Sequence, residues 1–138
     1  MANEALNALV TSAIWRAQQL ETLGIWSASQ AWAEVSSVEE ELAKTYSTSQ
    51  GEGRIARRGA VRASLKAGDY ARAQELSDLY SNEDGVTKAL KSALREMLAE
   101  DARAMESRFR FASKYLRVSE ARQLSRHFHE AGAFGLAA

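Results

Sequence analysis

No proline stands anywhere between Met1 and Ala138. At average usage about seven would occur in a chain of this length. Proline breaks helix interiors, because it lacks the N–H of the ladder and its ring clashes with the preceding turn. A chain without it can run long helices, and this one is rich in alanine, the strongest helix former. Apolar residues recur three or four positions apart through most of the sequence, the period of one helix face. Nothing alternates with period two for long enough to indicate a strand. The expected fold class is all-α.

Four turn signals divide the chain: Gly24, the polar run Ser47–Gly53, the pair Gly68-Asp69, and Ser81–Gly85. The first piece places Leu6, Leu9, Ala13, Ala17 and Leu20 on one face. The second, from Trp26 to Tyr46, carries Trp32, Val35, Val38 and Leu42. The third carries Ile55, Val61 and Leu65. The fourth opens at Asp69, a suitable N-cap, and stacks Tyr70, Ala73, Leu76 and Tyr80. The fifth is long, with Leu90, Leu94, Leu98, Ala102, Met105, Phe109, Ala112 and Leu116 in register. Ser119 is placed to cap a short sixth helix along Ala121, Leu124, Ser125 and Phe128. The architecture expected is two antiparallel helical hairpins, a long C-terminal helix and a short final one. They form a single helical domain over residues 1–132, followed by a flexible tail at 133–138.

Two corners share their chemistry. Leu23–Trp32 can be laid over Ala67–Leu76, matching Gly24 with Gly68, Trp26 with Tyr70, Gln30 with Gln74 and Trp32 with Leu76. Glycine permits the left-handed conformation that closes a helix, and small residues let the next helix approach. The second corner, Val61–Tyr80, resembles the helix-turn-helix corner of the tetratricopeptide family. The copies lie 44 residues apart rather than the family's 34, and no proline closes the second helix. A generic helical bundle using the same corner is the competing expectation. The resemblance implies protein binding in a groove between hairpins, without catalysis or a cofactor.

The net charge is zero, yet the signs are segregated. Residues 1–50 hold six acids and two bases, and residues 51–72 hold two acids and six bases. Residues 73–101 hold seven acids and three bases, and residues 102–138 hold three acids and seven bases. Packing of acidic helices against basic ones accounts for such blocks. Alternatively, Arg54, Arg57, Arg58 and Arg62 form a basic rim for a partner. Basic segments 54–72 and 103–126 raise nucleic-acid binding as an alternative, since Arg108, Arg110 and Lys114 interleave with Phe109, Phe111 and Tyr115. Against it, the isoelectric point is about 6.8, and Phe109 falls on the stripe expected to be core.

Signals for chemistry are weak. Cysteine is absent, which removes disulfides and thiolate chemistry. His127 and His129 lie two apart, so a helix points them to different sides, and no metal site is expected. Glu39-Glu40-Glu41 reads as a solvated face, and no phosphate loop or nucleophile elbow occurs. The first residues lack the basic and apolar regions of a secretory signal, and no segment is long enough to span a bilayer, so a cytoplasmic protein is expected. Trp15, Trp26 and Trp32 crowd the first hairpin; Trp15 faces the Ala13–Ala17 core only in part, and Trp26 and Trp32, six apart, cannot both point inward, so at least one of them is expected to reach the surface.

These features point to a non-enzymatic adaptor, small chaperone or assembly subunit. A helix or peptide of another protein would sit near Trp26, Trp32, Tyr70 and Tyr80. Self-association through the Leu94–Leu116 stripe is a further alternative.

Overall fold

A computed structural model describes residues 2–24 and 27–130, with side chains through Tyr115 and that of Arg122. It is all-helical among these residues. Helix α1 spans Ala2–Thr22, α2 Ala28–Thr45, α3 Gly51–Lys66, α4 Tyr70–Ser81 and α5 Lys88–Glu130. Helix α1 packs against α2, α2 against α3, and α3 against α4. The chain divides into two compact units, residues 1–100 and a second beginning at Asp101. No described helix is long and apolar enough to cross a membrane.

The α3–α4 corner forms because two residues carry both of its ends. Gly68 takes φ 78°, the left-handed region open to glycine. The Gly68 N–H donates to the Leu65 carbonyl at 3.0 Å, and the Asp69 N–H donates to the Ser64 carbonyl at 3.0 Å. This pair of reversed bonds satisfies carbonyls that the end of α3 leaves without partners. Asp69 then starts the next helix, its Oδ1 accepting from the Arg72 N–H at 3.0 Å. The expected N-cap is therefore present. At the α1–α2 corner Gly24 takes φ 68°, and its N–H donates to the Glu21 carbonyl.

The polar run at 47–53 is shorter as a loop than expected, because α3 already begins at Gly51. A Cβ on Gly53 would lie 2.0 Å from the Ser47 carbonyl oxygen, so glycine admits the loop against the helix start. Thr48 is buried and donates to the Asp84 carbonyl at 3.1 Å, tying this loop to the α4–α5 connection.

Small residues govern the α2–α3 contact. Ala56, Ala60, Ala63 and Ser64 are buried on α3, whereas Ile55, expected inside, is exposed. Large side chains are excluded where two backbones come this close. The Ser36 hydroxyl lies 2.9 Å from the Ala60 carbonyl, to which it donates, and 2.8 Å from the Ser64 hydroxyl. Buried hydroxyls are thereby satisfied without bulk.

The main core joins Val10, Leu42, Val61, Leu76, Tyr80, Leu90, Leu94 and Leu98. A second cluster joins Ala17, Ala31, Trp32, Val35 and Ala63. On α1 the inward stripe runs through Val10 rather than Leu9. Both residues are apolar, and spacing alone serves either register.

Two further expectations differ. The final helix is not separate: α5 continues unbroken through Ser119 to Glu130, because a serine caps a helix only where the backbone leaves it. Phe109, expected on the core stripe, is 73% exposed. The tail at 133–138 lies outside the described residues.

Candidate functional site

Two exposed large apolar side chains of the first unit, Leu9 and Trp15, lie together between α1 and α2. A groove of about 870 Å³ lies there, lined by Leu9, Ala13, Trp15, Arg16, Ala33, Glu34 and Val38 among others. Trp15 is 65% exposed and Leu9 52% exposed. Ser12, Ala13, Ala33 and Ser37 are small, and their size opens the groove. The Arg16 guanidinium donates to Glu34 Oε2 at 3.1 Å from one helix to the other. Both partners are solvated, so the pair contributes little stability and offers polar groups at the groove.

A smaller cavity of about 270 Å³ lies at the α2–α3–α4 junction, lined by Glu40, Ala43, Lys44, Arg57, Leu79, Tyr80 and Glu83. Arg57 organises it. Its Nε and NH2 donate to the Glu83 carboxylate at 2.7–3.1 Å. Its NH1 donates to the Tyr46 and Gly53 carbonyls, and its guanidinium stands 5.6 Å from the centre of the Tyr80 ring. Burial, and then the Glu40 charge, push the Tyr80 hydroxyl well above its ordinary range. Arg72 reaches from α4 to Glu40 on α2. Acid and base blocks thus meet within the molecule, as complementarity of the segregated charges requires.

Glu39 is buried against Gly59, where a Cβ would come within 2.5 Å of its carboxylate. Burial pushes its carboxyl up to about 7, and the Arg62 charge pulls the other way. The run Glu39-Glu40-Glu41, expected as a solvated face, therefore turns its first member inward.

The residues expected to form one partner site are dispersed. Trp32 is only 6% exposed: its indole N–H donates to Glu21 Oε2 at 3.0 Å, and Lys66 Nζ lies 4.3 Å from its ring centre. Tyr80 is buried in the other core cluster. Neither the 870 Å³ groove nor the 270 Å³ cavity is lined by both. Two apolar clusters each needed one large aromatic, and those rings became core. Tyr70 is exposed at the start of α4, and Arg58 and Arg62 are exposed on α3. Arg54 donates to the Thr48 and Ser49 carbonyls, holding the loop ahead of α3. Trp26 lies outside the described residues, as do the side chains of His127 and His129. Among the described residues no group of acids and histidines is placed to hold a metal ion.

Sequence reasoning missed the Trp15–Leu9 groove. The signal was present, since Trp15 sits off the Ala13–Ala17 face. Comparison with protein-family models, curated proteins and solved structures returns no significant match.

Proposed function

We propose that the chain is a non-catalytic interaction module, an adaptor or assembly subunit, that receives an amphipathic helix of another protein in the α1–α2 groove. The observation that carries this reading is Trp15, a large rigid aromatic held by a helix and left open beside Leu9 and Val38. Tryptophan is enriched at binding hot spots, because it buries much area with little side-chain entropy to lose. The small residues around it leave room for a partner's large apolar side chains. Arg16 and Glu34 supply polar groups on both helices. The tetratricopeptide-like corner at Val61–Tyr80 and the lack of cysteine agree with a binding protein of the cytoplasm.

A photo-cross-linking amino acid at Ser37, which lines the groove, would tag the partner in extracts of the native host. The purified partner would then be titrated against wild type and Trp15→Ala. The expected loss is about 10-fold or more in affinity with unchanged melting temperature. Equal affinity for both proteins would falsify the assignment of this groove.

A further inference from the structure

The apolar stripe of α5 changes spacing as it leaves the core. Leu90, Leu94 and Leu98 follow at four-residue intervals and are buried. From Ala102 the steps alternate: Met105, Phe109, Ala112 and sequence position 116 lie three and four apart in turn. Alternating steps average 3.5 residues, which keeps a stripe facing one neighbouring helix. Yet Met105 is 51% exposed, and Phe109 and Ala112 are exposed too. One flank of the stripe carries Arg108 and Tyr115, and the other carries Glu106 and Ser113. Arg103, Arg110 and Lys114 fall on the far side of the helix.

We propose that this stripe is covered by the same stripe of a second copy of the chain, running antiparallel. Size selects the direction. With the two helices centred between residues 110 and 111, Phe109 meets the partner's Ala112, and Ala112 meets the partner's Phe109. Bulk fills the space left by alanine on both sides. A parallel pair would set phenylalanine against phenylalanine and alanine against alanine, leaving a gap. Charge selects the same arrangement. Antiparallel pairing puts Arg108 beside the partner's Tyr115, a cation against a ring, and Glu106 beside the partner's Ser113. Parallel pairing puts Asp101 beside the partner's Glu106, two like charges.

The basic residues argue against other occupants. Arg103, Arg110 and Lys114, unlike Arg108, lie opposite the stripe rather than along its edges, and exposed Phe111 shares their side. An anionic polymer bound to them would leave Phe109 uncovered. A bilayer that took up Phe109 would hold those bases away from its headgroups. The seam is short, because positions 119 and 123 bring Ser and Gln. The dimer is therefore weak and concentration-dependent.

The stripe shares no residue with the Trp15 groove, so the two readings fail independently. Sedimentation of the full chain from about 1 to about 200 μM should show conversion to twice the 15.2 kDa protomer mass. Phe109→Glu should weaken the dimer by about 10-fold or more with helicity preserved, and Trp15→Ala should leave it unchanged. The chain has no cysteine, so Arg103→Cys accepts one nitroxide. Antiparallel helices separate the two labels by about 22 Å along the axis, whereas parallel helices hold them level. A monomer throughout, a dimer indifferent to Phe109→Glu, or level labels would overturn the proposal. So would a monomer that binds phosphatidylserine vesicles or a single-stranded oligonucleotide through Phe109.

Discussion

At the residue scale, two buried ionisable groups behave in opposite ways. Arg57 is charged and satisfied, with bonds to Glu83, Tyr46 and Gly53 that join three elements. Removing it leaves Glu83 without its partner and takes a side-chain donor from the Tyr46 carbonyl. Arg57→Ala should lower unfolding free energy by about 3 kcal/mol in urea titration. Glu39 is buried beside Gly59, and its carboxyl sits at about 7 against an ordinary value of 4.5. Because the folded value is the higher one, the protonated form favours folding. Its contribution is full below about pH 4.5 and is lost as the pH rises through about 7. Glu39→Gln should therefore exceed wild type in stability at pH 8, by on the order of 1–2 kcal/mol after solvent screening, and should match it near pH 4. A wild-type chain as stable as the variant at pH 8 would show that Glu39 ionises freely. Neither role was legible in the sequence. Arg57 is one of four arginines within nine residues, and Glu39 one of three consecutive acids. Only packing separates the buried member of each set from the solvated ones.

At the element scale the helices and corners were legible, because their causes are local. Gly68 and Asp69 state the corner in two letters. Gly68→Ala forces a side chain into a left-handed backbone and should cost about 1 kcal/mol. Asp69→Ala removes the acceptor for the Arg72 N–H and should cost about as much. The two losses are read by thermal unfolding of single and double variants. Because the residues share one turn, the double variant should lose less than the sum. What local signals left open was which of two adjacent apolar residues turns inward. Leu9 and Val10 both serve the period. The neighbour's shape decides, and a neighbour distant in sequence is invisible to spacing.

For the whole molecule, the proposed groove assigns stability and recognition to different aromatics. Trp32 and Tyr80 are core, so replacing either should lower melting temperature. Trp15 should change melting little and partner affinity greatly, since exposed substitutions away from special features stay within about 0.5 kcal/mol. Thermal scans of Trp15→Ala beside Trp32→Ala check this division: equal losses would place Trp15 in the fold rather than at a surface. The site was only partly legible, since an aromatic-rich first hairpin is visible in the letters while the identity of the open ring depends on tertiary contacts.

The close approach of α2 and α3, lined by alanines and the Ser36–Ser64 hydroxyl pair, has a consequence for how the protein comes apart. Amide protons shielded by such tight apposition have no route to water until the helices part. Under native conditions deuterium should enter α2 and α3 last, and protease digestion should leave that pair as the final resistant fragment.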